Sequence, residues 1–361
     1  MTSGDIETKA AAGDTRAQIE LAAKLDGEGR HTDAINWLAR AGKAGDSQAL
    51  TLLALRLLTG RDAPFLPADG ARLLSDAAGA GHAGAAGHLA VLLGGGFFVK
   101  QDWRAALAYL VRSAELGSQA AQAQLRILAD RGDDESDFKA LAAAIDLKTW
   151  VTPPEGRTLS EQPLVRAVQA VIPARASAWV IEQAKARLVR AELYDPNTGA
   201  AVQSQETRQN RIANFTLADT NLLNLLIQAR IAAAVGCPQP MLEAFAVLHY
   251  AVGEEYGEHF DFLDPAIPAY ADEIQRQGQR VATLLLYLND NYEGGTTDFP
   301  ELGISHRGAA GDGLIFASVD PAGRPDRRTR HAGRPPKTGE KWLLSQFIRN
   351  RPQVGVQSAP R

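Results

Sequence analysis

Two residues that carry lone pairs, His259 and Asp261, are separated by a single phenylalanine. On an extended strand side chains alternate, so both lie on one face. An imidazole and a carboxylate placed together are two of the three donors of a two-histidine, one-carboxylate site. Such a set holds ferrous iron on one face and leaves the other open to a cosubstrate and oxygen. His331 is the candidate for the third donor. Lys341 follows ten residues later, a cation placed to bind a carboxylate.

Other chemistry-bearing residues read differently. His249 falls on the opposite strand face from Tyr250 and is expected to be structural, and His306 sits in a Gly-flanked stretch expected to be solvated. His31, His82 and His88 are expected to pack or face solvent. Asp264 precedes Pro265 and suits a turn; Asp298 suits a loop. Arg324, Arg327, Arg328, Arg330 and Arg334 surround His331. They form either a solvated loop or a patch for an acidic or phosphate-bearing partner, and Glu254 and Glu255 could pair with them. The one cysteine, Cys237, excludes an intramolecular disulfide, fits a reducing compartment and has no metal-ligand companions.

The elements that must position these groups are short strands. Candidates run over 243–250, 258–262, 280–288, 313–317, 328–331 and 341–349. Asn289-Asp-Asn, Glu293-Gly-Gly, 309–313 and Lys337-Thr-Gly separate them. Helices are expected before them, over 165–172, 176–189 and 216–235. Many short strands after helices suggest a double-sheet jelly roll packed on helices.

The order of the pieces resembles the prolyl 4-hydroxylase-type branch of the Fe(II)/2-oxoglutarate dioxygenases. The residues that carry the resemblance are Glu243, Val247, Tyr250, Gly253, Tyr256, His259 and Asp261, followed by Arg280-Val-Ala-Thr-Leu-Leu-Leu-Tyr-Leu-Asn-Asp290. Then come Gly294-Gly-Thr-Thr297-Asp-Phe-Pro300, Gly313-Leu-Ile-Phe316, His331 and Gly339-Glu-Lys341-Trp342. The match covers about residues 180–350. It implies His259, Asp261 and His331 as Fe(2+) ligands, and no catalytic side chain beyond that metal site. It implies Lys341, with the hydroxyls of Tyr250 and Thr297, for the distal carboxylate of 2-oxoglutarate, and O2 as oxidant with ascorbate as a reductant. Tyr256 and Phe347 are the candidate substrate contacts. Family members acting on peptidyl proline often carry Trp where Phe347 stands; Phe keeps an aromatic wall and loses an indole donor.

The first third of the chain repeats itself. Gly13, Gly45, Gly81 and Gly117 recur at intervals of 32, 36 and 36 residues, with alanine-rich helix patterns around them. Alanines permit close helix crossing, and each glycine ends the helix before it. Residues 8–130 resemble the Sel1-like branch of the tetratricopeptide-type repeats. That implies a curved α-solenoid for protein contact, or one that only stabilises or dimerises the rest of the chain.

With 361 residues, two or three domains are expected. The expected organisation is multidomain α and α+β. It comprises helical repeats over 1–130, a linker over 131–158 with a short helix at 138–147, a double-stranded β-helix (jelly roll) with flanking helices over 159–352, and a flexible tail over 353–361. A formal net charge of -4 gives no bulk case for nucleic-acid binding. The N-terminus lacks a signal-peptide pattern and no stretch suits a membrane span, so a cytoplasmic location is expected. The leading expectation is a hydroxylase of prolyl residues in a protein or peptide, with the repeats as docking surface. Hydroxylation of a free amino acid or other small molecule, and a non-catalytic repeat adaptor, are the alternatives. Oligomeric state is open.

Overall fold

A computed structural model describes residues 3–191, 193–194, 201–202 and 208–353. The expected tail lies, from residue 354 on, outside the described residues. Two compact units result. Among the described residues, one spans 3–146 with Thr216–Leu225, the other 147–215 with 226–353.

The first unit is a run of helices: α1 (Ser3–Ala11), α2 (Thr15–Gly27), α3 (His31–Lys43), α4 (Ser47–Thr59), α5 (Pro67–Gly79), α6 (Ala83–Gly95), α7 (Trp103–Glu115), α8 (Gln119–Leu128) and α9 (Phe138–Ala144). Successive helices pack in pairs, as expected of a solenoid. After α1, α3, α5 and α7 the repeat glycines adopt φ of 99°, 91°, 88° and 95°, a region that side chains with a Cβ rarely enter. The next residue then caps the following helix. Asp14, Asp46, His82 and Ser118 accept from the N–H groups of Ala17, Ala49, Ala85 and Ala121 at 2.9, 2.9, 3.0 and 3.3 Å. His82 thus has a specific role where packing or surface was expected. The register after Gly81, matching the two aspartates and Ser118, is the signal that would have found it. Fully buried Ala34, Ala41, Ala49, Ala54, Ala77 and Ala85 let the helices cross closely. Gly70 on α5 is tighter still: a Cβ there would lie 2.8 Å from the Ala54 carbonyl oxygen of α4.

The second unit opens with α10 (Leu147–Val151), β1 (Gly156–Glu161), β2 (Leu164–Val168), α11 (Ala174–Lys185), β3 (Val189–Arg190), β4 (Leu193–Tyr194), β5 (Ala201–Val202) and β6 (Arg211–Asn214). The helix α12 (Leu222–Val235) follows, its residues to Leu225 grouping with the first unit. Then come β7 (Ala246–Tyr250), β8 (Tyr256–His259), α13 (Pro268–Gln277), β9 (Arg280–Tyr287), β10 (Glu293–Gly294), β11 (Thr297–Phe299), β12 (Ile304–His306), β13 (Gly313–Ala317), β14 (His331–Gly333), β15 (Pro336–Thr338) and β16 (Lys341–Arg349). An eight-stranded sheet runs β1-β2-β13-β9-β16-β7-β6-β3, and a four-stranded sheet runs β12-β11-β14-β8. Their pairings are antiparallel. Tyr250, Leu285, Tyr287, Phe299, Phe316 and Leu343 fill the core of this jelly roll. Burial of roughly 2 kcal/mol per large apolar side chain drives their association.

The structure corrects several expected elements. Residues 165–172 are not helical: Leu164–Val168 form β2, with Val165 and Val168 buried, which pairs with β1 and β13. A short apolar run does not separate strand from helix by pattern alone. Helix α11 stops at Lys185, and Val189 already belongs to a strand. The helix expected from 216 begins at Leu222, because Asp219 accepts from the Thr216 hydroxyl at 2.6 Å and holds a turn there. Among the described residues no helix is long and apolar enough to cross a membrane.

Candidate metal centre

His259 and His331 are cross-strand partners on β8 and β14, their ring centroids 4.3 Å apart. Asp261 lies just past the end of β8, which stops at His259 rather than reaching residue 262 as expected. Its two carboxylate oxygens are each 3.6 Å from a histidine Nε2, Oδ1 from His259 and Oδ2 from His331. One donor atom from each of the three residues falls within 4.8 Å of the others, and no other such cluster occurs among the described residues.

Outer contacts aim the donors. The Nδ1–H of His259 donates to the Gly257 carbonyl at 2.8 Å, and that of His331 to the Thr329 carbonyl at 3.0 Å. A carbonyl only accepts, so each Nδ1 carries the proton and each Nε2 lone pair faces Asp261. Thr283 donates its hydroxyl to Asp261 at 2.7 Å. Phe316 and Phe299 pack on His331, with centroids at 4.7 and 5.4 Å. Burial, with the neighbouring His331, pushes the His259 imidazole down to about 3, which keeps it neutral and able to ligate. Burial raises Asp261, but the charges of His331 and His259 and the Thr283 bond outweigh it and hold the carboxyl below its ordinary range. Two neutral imidazoles and a carboxylate suit a divalent metal with open positions.

Lys341 starts β16 directly opposite Tyr250 on β7. Its Nζ is fully buried, 5.2 Å from the Tyr250 ring centroid, and has no hydrogen-bond partner. Burial lowers its pKa to about 7. A buried amine without an acceptor is costly unless an anion meets it, so the residues present fit a carboxylate ligand. The Thr297 and Tyr287 hydroxyls are 3.1 Å apart beside it. Tyr287 is a residue the sequence reading passed over, although it lies in the 280–290 motif. Burial pushes the Tyr250 and Tyr287 phenols up, so both stay protonated and able to donate.

A cavity of about 1050 Å³ opens before the centre, with His259, Asp261, His331 and Thr297 in its wall. Tyr256 stacks on His259 at 3.6 Å, and the Arg280 guanidinium covers the Phe347 ring at 3.8 Å. A register shift between β16 and β9 lies beside Arg280, which lines the cavity together with Leu285; bulges commonly re-aim a side chain in this way. Glu243 fixes Arg280 with bonds of 2.8 and 3.0 Å and also pairs with Arg349.

The remaining candidates settle outside this centre. His249 bonds Glu340 at 3.1 Å and packs on Trp342. His306 is not a solvated loop residue: it is half-buried on β12, opposite Thr297. Asp298 likewise belongs to a strand, β11, and pairs with Arg334 at 2.9 Å. The arginine run is neutralised within the chain. Arg324 pairs with Asp320, Arg327 with Asp264, Arg328 with Asp326, and Arg330 with Glu258 and Glu301. Glu258 is the acid that Arg330 and Arg334 share, while Glu255 acts on Arg334 only through its charge.

Comparison with known proteins agrees with this geometry. The 2OG-Fe(II) oxygenase superfamily model matches residues 245–349. Prolyl 4-hydroxylase subunit alpha-1 of Gallus gallus is 34% identical over 174 residues, 48% of this chain and 33% of its own length. Probable prolyl 4-hydroxylase 9 of Arabidopsis thaliana is 30% identical over 195 residues, 48% of this chain and 66% of its own. The chain thus spans about a third of the first relative and just under two thirds of the second. A Sel1 repeat protein from Oxalobacter formigenes aligns as a structure over 34% of this chain and 95% of its own, at 28% identity and a TM-score of 0.31. Residues 245–349, which supply His259, Asp261, His331, Thr297 and Lys341, are a domain of the 2OG-Fe(II) oxygenase superfamily, homologous to prolyl 4-hydroxylases.

Proposed function

We propose that the protein is an Fe(II)- and 2-oxoglutarate-dependent hydroxylase acting on prolyl residues of a protein or peptide. The observation that carries this reading is the pairing of a complete His259–Asp261–His331 donor set with an unpartnered buried Lys341 in one domain. In this reading the three donors hold Fe(2+), which supplies the activation of O2 coupled to decarboxylation of 2-oxoglutarate. The residues of the chain do the rest. Lys341, Tyr250 and Thr297 bind the distal carboxylate, Thr283 holds Asp261 in place, and the aromatic walls exclude water. Tyr256 and Phe347 flank the substrate. A cavity of about 1050 Å³ is large for a free amino acid and suits a peptide segment beside the cosubstrate. A non-catalytic adaptor has no need of the full donor set with its hydrogen-bonded support.

The test is anaerobic reconstitution with Fe(II) and 2-oxoglutarate, then air and ascorbate, with succinate release measured over proline-containing proteins, peptides and free amino acids. Metal binding lost in His259→Ala is the expected result; equal binding in that variant sinks the reading. For the repeats we propose a docking role, supported by exposed Phe65 and Leu66 on the helical unit. Phe65→Ser with Leu66→Ser should raise KM for a protein target and leave KM for a short peptide unchanged; equal KM values for both would count against docking there.

A further inference from the structure

Three carboxylates line the cavity before the metal centre, and each is already engaged. Glu243 accepts from Arg280 and Arg349, Glu273 on α13 accepts from Arg349, and Asp261 accepts from Thr283 while facing both imidazoles. Arg280 of the same wall is matched by Glu243, but two other cations are not. Arg276 on α13 and Arg190 on β3 line the cavity and are exposed. Neither has an ion-pair or hydrogen-bond partner among the described residues. Arg190 also stands directly opposite Arg211 across the β3–β6 pair. Like charges placed directly opposite each other on paired strands repel. Closer to the centre, the Arg208 guanidinium lies 4.5 Å over the Tyr256 ring, which in turn stacks on His259.

We infer that the substrate presents a carboxylate to this rim, with Arg190 and Arg276 as its specificity-determining contacts. The inference rests on the hydroxylase reading of the site. The carboxylate is an acidic side chain flanking the residue to be hydroxylated, or the α-carboxylate of a free amino acid. Both are the same chemistry to a guanidinium, which pairs with a carboxylate through two parallel N–H bonds.

The experiment uses the full chain with Fe(II), 2-oxoglutarate and ascorbate. Its substrates are proline-containing peptides that differ only in having Glu, Gln or Lys beside the proline, together with free L-proline. The Glu peptide should exceed the Gln peptide roughly threefold to tenfold in kcat/KM, mainly through KM, because rim charges act on encounter and are screened. High salt should erase the difference. The double variant Arg190→Gln with Arg276→Gln should lose the preference, and KM for 2-oxoglutarate read in the same assays checks that the inner site is intact. Peptide affinity by fluorescence anisotropy under nitrogen should follow the same order without turnover. If free L-proline is the better substrate and the double variant raises its KM, the carboxylate is the α-carboxylate. Equal kcat/KM and equal affinity for the Glu, Gln and Lys peptides, with succinate still released, overturns the inference and leaves the hydroxylase reading standing. If no substrate supports succinate release, that reading falls, and the anisotropy order alone decides whether the rim selects a carboxylate.

Discussion

The two units place their polar atoms in opposite ways. In the helical unit a capping side chain bonds an amide three residues on, and the same arrangement recurs from Asp14 to Asp46, His82 and Ser118. In the strand unit the partners are distant. Thr283 reaches back to Asp261, Lys341 stands opposite Tyr250, and His331 faces His259. A repeat can therefore lose one cap and keep its neighbours, whereas each polar residue of the metal centre has no substitute. Damage to the first unit should appear as stability, and damage to the second as affinity.

The sharpest way to break that contrast is at the donors. His331→Ala or Asp261→Ala should cost at least about a hundredfold in Fe(II) affinity, since even outer-shell changes cost tenfold to a hundredfold. Circular dichroism should show the α1–α8 helices unaltered; a collapse of helicity would mean that the units are not separable in this sense.

Lys341→Ala comes next. Loss of a charge-assisted bond of roughly 1.5–3 kcal/mol should raise KM for 2-oxoglutarate about tenfold to a hundredfold. In the intact protein the buried amine, lowered to about 7, is charged below that pH and neutral above it. A carboxylate binds the charged form, so 2-oxoglutarate affinity should fall as pH rises above about 7, with one proton taken up on binding. Calorimetry in two buffers of different ionisation enthalpy reads that proton. A pH-independent affinity from 6 to 9 would mean that Lys341 is not the partner.

Thr283→Val keeps the shape and removes one hydrogen bond, and should cost about tenfold in metal affinity with little change in melting. The smallest effect belongs to the repeats. His82→Ala should destabilise the helical unit by about 1 kcal/mol and leave metal affinity unchanged. The cap needs a neutral ring, and burial lowers the His82 pKa below 6.5. Its contribution is therefore complete above the unfolded value and is lost as pH falls through the lowered folded one. A thermal melt series from pH 7 to 4 should show the wild type converging on the variant.

The same contrast explains what could be read before the structure. The glycine spacing, the His259–Asp261 pair and the order of motifs to Lys341 are local patterns, and they survive in one dimension. Tyr287 and Thr283 were in plain view within a quoted motif, but their importance comes from partners on other strands. Helix α13 escaped because it is short and buries none of its residues. It is held by polar ties instead: Arg349 to Glu273 and to the Gly278 carbonyl, and Arg351 to the Gln275 carbonyl. Strand β2 was misread because Val165, Val168, Val171 and Ile172 recur at a helical spacing, although the first two lie on a strand. The arginine run left a binding patch open beside a solvated loop because four of its acids, Glu258, Asp264, Asp298 and Glu301, come from other segments.

Both metal-facing imidazoles are oriented by a carbonyl two residues earlier in their own chain, at Gly257 and at Thr329. A carbonyl is present whatever amino acid occupies the position. The aim of the two rings is therefore carried by the main chain and is shielded from side-chain replacement at 257 and 329. Sequence drift around the centre can alter the walls that choose a substrate while the ligand geometry persists. One metal cradle can in this way be handed unchanged from one substrate to another.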